Sequence, residues 1–195
     1  DGVVVQALPG RIGRLDAVVL THSDSDHAGG VGLVLERMGV GVVLASDRTW
    51  TDLVSESVVP VAGGSLDIGD ELRLSERTSI EVLSPPVVAV GRTHGSDNNG
   101  SLVLLVSIGE RRVLVTADIQ QAAEQWLVES GRELGADVLV VPHHGSKSSS
   151  TLEFIAAVDP LVAVVPVGGN AYGHPSAEVL ARYSGVSLYR TDEDG

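Results

Sequence analysis

Apolar residues in this chain come in short runs closed by turn residues, and many of them are β-branched. Such runs predict strands: near Ala17–Leu20, Val40–Ala45, Leu72–Leu74, Ile80–Leu83, Leu102–Ile108, Val113–Thr116, Val138–Val141, Ala163–Pro166 and Ser187–Tyr189. A spacing of three to four predicts helices at Gly30–Met38, Gln120–Ser130, Thr151–Val158 and Ser176–Tyr183. The second of these carries Ala122, Ala123, Trp126 and Leu127 as its apolar positions, with Asp118 as the expected N-cap. The first half reads as mixed and hairpin-rich, and "GERR" at 109–112 reads as a hairpin turn. The second half alternates strand and helix, so the expected class is a layered α/β domain. The stretch "LSPPVVAVGRTHGSDNNGS" (83–101) is rich in turn formers and reads as a functional or mobile loop rather than a core element. No repeat or linker interrupts the chain, so residues 1–195 read as one domain, with 191–195 as a frayed acidic tail.

Composition narrows the chemistry. The core must be aliphatic, because aromatic residues make up only 3% of the chain. No apolar window is long enough to span a bilayer, and the start "DGVVVQALPGR" lacks the pattern of a signal peptide. The chain is therefore expected to be soluble by itself. With no cysteine, a metal would have to sit on His, Asp, Glu or Asn. A formal charge of −13 repels nucleic acid at long range and argues against a DNA-coating protein, though not against an enzyme that holds a phosphate through bound cations. No aromatic-plus-Arg platform of the kind that grips single strands is visible either.

The polar positions that interrupt the strand pattern are where the chemistry gathers. In "LTHSDSDHAGG" (20–30), His22, Asp24, Asp26 and His27 follow a strand within six residues. In an extended segment His22, Asp24 and Asp26 would point the same way, with His27 at the entry to the next helix. A solvated turn is the alternative, but two histidines bracketing two aspartates make a metal site the better reading. Of the six histidines, five lie at predicted strand ends: His22, His27, His143, His144 and His174. Asp118 closes a fourth strand in "RVLVTADIQ", where it serves as a ligand, a helix cap or both. Ligands in open α/β sheets gather outside the carboxyl ends of strands. In "HHGSKSSS", Ser146, Lys147 (the chain's one lysine) and the serines at 148–150 precede a helix whose free N–H groups would attract an anion. The alternative there is a polar helix cap with a surface lysine.

Together "HSDSDH", "VLVTADI", "VPHHGS" and "YGHP" resemble the metallo-β-lactamase superfamily, and more narrowly the β-lactamase-like domain of ComEC-type DNA-uptake proteins. The superfamily motif is His-x-His-x-Asp-His; Asp24 stands here in place of the second His, as is typical of the ComEC-like branch. The Asn-rich "NNGS" at 98–101 is also similar to that branch. Only "DG" at 1–2 could represent the usual N-terminal hairpin, so the expected αββα sandwich would lack part of its first strands. The resemblance implies two divalent ions, Mn²⁺ or Zn²⁺. His22 and Asp24 would hold one; Asp26, His27 and His143 would hold the other, with Asp118 bridging. The third-motif ligand stays open between Asp97, Asn98, His94 and water. Exchanging an imidazole for the Asp24 carboxylate hardens the first site and shifts its preference from Zn²⁺ towards Mn²⁺ or Mg²⁺. Two ions roughly 3.5–4 Å apart would acidify a shared water and neutralise a substrate oxygen. Asp26 would orient that water, and His174 would steady phosphoryl oxygens or protonate the leaving group, unless it merely caps a loop. Ser146, Lys147, His144 and Asn99 are the expected phosphate contacts.

The leading expectation is a phosphodiesterase degrading DNA during uptake. Its partners would be single-stranded DNA, bound weakly, and the membrane-embedded channel of the same parent protein, on the outer face of the cytoplasmic membrane. One alternative is a small-molecule hydrolase of the same fold, acting on a phosphoester, lactone or thioester. Another is a degenerate metal-binding assembly module without catalysis.

Overall fold

The computed structural model describes residues 13–46, 49–50, 62–83 and 97–194. The chain divides into two compact units, residues 1–67 and 68–195.

In the first unit, β1 (Arg14–Leu20), β2 (Gly39–Ala45) and β3 (Gly63–Ser65) form a parallel sheet in that order, with Leu20 opposite Ala45. Parallel neighbours need a crossover, and α1 (Ser25–Ala28) and α2 (Val31–Arg37) provide it. Val31 and Val34 bury one face of α2, and together with Leu20, Ala28, Val43 and Ala45 they exclude water from this unit's core. This βαβ arrangement confines the hairpin expected in the first half to β4 (Glu71–Ser75) and β5 (Thr78–Val82). The apolar runs at 14–20 and 39–45 are near-continuous rather than alternating, which is the signature of parallel strands. Nothing in the pattern announced β3, since "GGS" has no apolar face to recognise.

The second unit holds a seven-stranded sheet of order β10-β9-β8-β7-β6-β5-β4. Strands β4 (Glu71–Ser75), β5 (Thr78–Val82), β6 (Leu104–Ile108) and β7 (Arg111–Val115) run antiparallel. The expected turn at 109–112 joins β6 to β7, with Gly109 at φ +62°. Strands β8 (Val138–Val140), β9 (Val162–Val165) and β10 (Ser187–Arg190) continue the sheet in parallel. Three helices, α3 (Gln121–Glu129), α4 (Leu152–Val158) and α5 (Ala177–Arg182), alternate with them. Ala123 and Leu127 of α3, Phe154 and Val158 of α4, and Val179 of α5 are buried with Leu114, Leu139 and Ala163 of the sheet. Residues 191–194, expected to fray, are hydrogen-bonded. The Thr191 N–H donates to the Val165 carbonyl (3.1 Å), and the Arg190 guanidinium meets Asp192 and Glu193 at 2.7 and 2.6 Å. Among the described residues no helix is long and apolar enough to cross a membrane.

Candidate metal centre

In the first unit the chain leaves the carboxyl end of β1 and enters α1 almost at once. Asp24 is extended (φ −62°, ψ 147°), and its carbonyl accepts the N–H groups of His27 and Ala28 at 3.0 and 2.8 Å. Asp26 and His27 therefore ride on a helical turn, which corrects the expectation of one extended segment from 22 to 26. A side chain at Gly29 would put its Cβ 2.3 Å from the Ser25 carbonyl oxygen, so the tight exit from this turn requires glycine. His22 is buried, with its ring centroid 4.1 Å from that of His27. His22 Nε2 lies 3.6 Å from Asp24 Oδ2, and His27 Nε2 lies 3.9 Å from Asp26 Oδ2. The Thr21 hydroxyl stands 3.2 Å from Nδ1 of His22 and 3.5 Å from Nδ1 of His27, so it steadies both rings from behind.

In the second unit three strand ends converge. After β7, Ala117 takes φ +47° and turns the chain so that Asp118 is buried. After β8, His143 and His144 both adopt left-handed backbone (φ 50° and 52°), and the His143 N–H donates to the Ala117 carbonyl at 3.0 Å. Non-glycine residues rarely sit in that region, and here it holds both rings beside Asp118. The Asp118 Oδ2 lies 3.8 Å from His143 Nε2 and 3.5 Å from His144 Nε2. After β9, His174 brings its ring centroid 5.7 Å from that of His143. Gly145 (φ +78°) makes this approach possible, because a Cβ there would meet Pro175 at 2.6 Å.

Hydrogen bonds fix the protons of one of these rings. His144 Nδ1 is 2.6 Å from the Pro166 carbonyl oxygen, which only accepts, so Nδ1 carries a proton while Nε2 faces Asp118. A ligating histidine is held in this way from its far nitrogen. Sequence reasoning gave His144 a phosphate role; its geometry is equally that of a ligand. Asn98 lies with its Nδ2 3.4 Å from His143 Nε2, and Gln120 with its Nε2 3.5 Å from His143 Nδ1. Asn99 Oδ1 accepts the Gln120 N–H at 2.9 Å, tying the Asn-rich turn to the Asp118 turn. His94 and the side chain of Asp97 lie outside the described residues. Burial, and then the charges of His143 and His144, hold the His174 imidazole below its ordinary range.

The donor geometry tests whether these residues suit a metal. Two donors bound to one ion at about 2.1 Å and the tetrahedral angle stand about 3.4 Å apart. The His–Asp separations of 3.6 and 3.9 Å in the first cluster, and 3.8 and 3.5 Å in the second, lie close to that edge and exceed a normal hydrogen bond. Imidazole and carboxylate donors without thiolate suit Zn²⁺ or Mn²⁺. The residues fit divalent cations.

One expectation about helix starts is corrected. The N-cap of α3 is Gln120 (φ −116°, ψ 177°), which leaves Asp118 directed at the histidines. Ahead of α4, the buried Glu124 carboxylate accepts the N–H groups of Ser150 and Thr151, so these two are taken. Burial pushes the Glu124 carboxyl up, against the pull of these two N–H groups and the Arg182 charge. Arg182 also donates to the carbonyls of Ser149 and Ser150 (2.9 and 3.0 Å), and the Tyr183 hydroxyl donates to Ser150 Oγ at 3.0 Å. Sequence reasoning missed Glu124, although a carboxylate between Ala123 and Leu127 on an apolar helix face was a visible signal. Ser146 is buried, with its hydroxyl 3.0 Å from that of Ser148. Lys147 is exposed and lines a groove of about 390 Å³ with Ser148, Thr151, Glu153 and Arg182.

Comparison with known proteins agrees with the motifs. A profile of the metallo-beta-lactamase superfamily matches residues 6–169. ComE operon protein 3 of Bacillus subtilis is 34% identical over 94% of this chain and 24% of its own length. Competence protein ComA of Neisseria gonorrhoeae is 34% identical over 100% of this chain and 26% of its own. The chain thus spans about a quarter of the length of these curated relatives. Among solved structures, the metallo-beta-lactamase fold protein YhfI from Bacillus subtilis superposes with a TM-score of 0.62 at 14% identity, covering 100% of this chain and 83% of that one. The α/β fold expected from the motifs is the fold observed.

Proposed function

Because this chain belongs to the metallo-beta-lactamase superfamily, we propose that it is a metal-dependent phosphodiesterase that degrades DNA during uptake. One observation carries this reading: each unit presents His and Asp donors at single-ion spacing, on a chain 34% identical to a competence protein. In this reading the two clusters serve one pair of divalent ions. His22 and Asp24 would hold the first; Asp26, His27 and His143 would hold the second, with Asp118 shared, and His144 would join the set through Nε2. When bound, the ions supply Lewis acidity that offsets charge on the phosphoryl oxygens and lets water attack near neutral pH.

The protein's own groups do the rest. Asp26 accepts a hydrogen bond from the attacking water and aims it. Asp118, buried, holds its charge in a medium where electrostatic attraction is strong. His174, held neutral at pH 7 by its lowered pKa, donates one N–H to a phosphoryl or leaving oxygen without adding a fixed charge. Ser146, Lys147 and Asn99 contact the flanking phosphate. Asp24 makes Mn²⁺ the favoured ion of the first site. Weak affinity for DNA, imposed by the −13 charge, suffices where the membrane channel of the parent protein supplies local concentration. That placement puts the domain on the outer face of the cytoplasmic membrane.

The test is a metal-screened nuclease assay on wild type and Asp118→Ala, with plasmid and single-stranded DNA. Mn²⁺- or Zn²⁺-stimulated loss of DNA, abolished in the variant, supports the proposal. Activity confined to bis-p-nitrophenyl phosphate or a lactone identifies a small-molecule hydrolase instead. Less than one ion per chain after dialysis, with no thermal shift on adding metal, identifies a non-catalytic module.

A further inference from the structure

We propose that Tyr172 is a stacking subsite for a nucleobase adjoining the histidine cluster of the second unit. The inference rests on the phosphodiesterase reading and specifies how the substrate is held beyond its phosphate. Tyr172 is 84% exposed, the most open of the large apolar side chains among the described residues. An unburied aromatic ring contributes little to folding, so replacing it leaves the core intact. The ring is not loose. It lies nearly parallel to His174, at 19° with centroids 6.0 Å apart, and His174 in turn stands edge-on to His143 at 5.7 Å.

The loop that carries Tyr172 is built to hold this pose. Asn170 Oδ1 accepts the N–H groups of Tyr172 and His174, both at 3.1 Å. Asn170 Nδ2 donates to the carbonyls of Gly168 and His174 at 2.9 and 2.8 Å. One amide side chain thus clamps the turn from within, although the loop is exposed. A loop whose backbone is already held loses little entropy when a ligand stacks on its aromatic ring, and Tyr172 is open to solvent. A phosphate beside His143 and His174 would leave its own base within reach of Tyr172, whose ring centroid is 6.0 Å from that of His174. Every base has a π-face, so this contact tolerates any sequence. It also offers an attraction that a chain of net charge −13 cannot provide by surface electrostatics. The platform that composition failed to reveal is formed by one tyrosine and a histidine, with no arginine.

Binding of reaction products tests the subsite without requiring turnover. Thymidine 5′-monophosphate and deoxyribose 5-phosphate are titrated by calorimetry into the Zn²⁺-loaded chain, for wild type, Tyr172→Ala and Tyr172→Phe. Stacking predicts that wild type prefers the nucleotide about tenfold, that Tyr172→Ala reduces the preference to less than twofold, and that Tyr172→Phe retains it. Affinity for deoxyribose 5-phosphate should be the same in all three. Equal binding of both ligands by wild type, no binding of either, or an undiminished preference in Tyr172→Ala overturns the subsite. A chain that hydrolyses DNA yet shows no preference refutes this inference alone. One that shows the preference yet hydrolyses no DNA refutes only the phosphodiesterase reading.

Discussion

The two clusters use the same side-chain types with opposite solvent exposure. In residues 22–27 the imidazole of His22 is buried, while the side chains of Asp24 and Asp26 are 46% and 62% exposed. In the second unit Asp118 is the buried partner, its side chain 5% exposed, and His143 and His144 are partly open at 18% and 24%. A hydrated carboxylate without a cation costs little. A buried one carries a desolvation penalty that only a positive charge or donated hydrogen bonds can offset. The second cluster should therefore be the more dependent on bound cations, and the first the more tolerant of substitution.

The largest expected effect follows from that asymmetry. Asp118→Ala should lower metal-dependent phosphodiester hydrolysis by about a thousandfold or more and erase the rise in melting temperature on adding Mn²⁺ or Zn²⁺. Asp26→Ala should keep part of the thermal shift. Differential scanning fluorimetry with and without metal, alongside initial rates, measures both. If the exposed carboxylate proves as critical to the thermal shift as the buried one, burial is not what separates the clusters.

Support from the surrounding fold differs as well. The second cluster's loop is anchored by Glu124, whose carboxylate receives the N–H groups of Ser150 and Thr151. Glu124→Ala leaves two buried donors short of a partner and should destabilise the chain by about 1–3 kcal/mol. Its pH dependence has a definite sign. The folded carboxyl is raised above its usual 4.5, chiefly by desolvation. The folded state therefore binds this proton more tightly than the unfolded chain does. The stabilisation is fully present below 4.5 and is lost as pH rises through the elevated folded value. Urea midpoints of wild type and Glu124→Ala should lie farthest apart at acid pH and converge as pH increases. A gap that widens with pH would show that the two N–H groups outweigh burial.

A smaller effect separates the clusters by metal. Asp24→His gives the ligand set of the first ion a second imidazole beside His22, so the ratio of Zn²⁺- to Mn²⁺-supported activity should rise about tenfold. An unchanged ratio would mean that the second cluster alone sets the preferred ion.

What the sequence made legible follows the same division. Strand positions in both units were readable because buried parallel strands and amphipathic hairpins leave strong apolar runs, as at Val138–Val140 and Leu104–Ile108. The residue types of the clusters were also readable, since His and Asp side chains are conspicuous at strand ends. Local backbone was not. Alternation could not anticipate the helical turn that carries Asp26, nor the left-handed pair at His143 and His144. Asp118 is an acceptable cap by residue type, and only the folded turn reveals that Gln120 takes that position. The role of Glu124 depends on a partner 26 residues away, a separation that no local pattern encodes.

Lys147 offers the finest distinction. Ser150 and Thr151, just ahead of α4, donate their N–H groups to Glu124, so a phosphate near "HHGSKSSS" would rely chiefly on the lysine charge and the serine hydroxyls. Lys147 is exposed, and charge at an exposed site is weakened by water and salt. Lys147→Ala should therefore raise KM for an oligonucleotide only about two- to threefold at low ionic strength, leave kcat unchanged, and lose its effect near 0.5 M salt on the order of a 4 Å screening length. Ser146→Ala should differ in kind. Its hydroxyl is buried against Ser148, so its effect would persist at high salt. If neither variant changes KM at low salt, the phosphate lies elsewhere, and the serine run serves only to connect the histidine pair to α4.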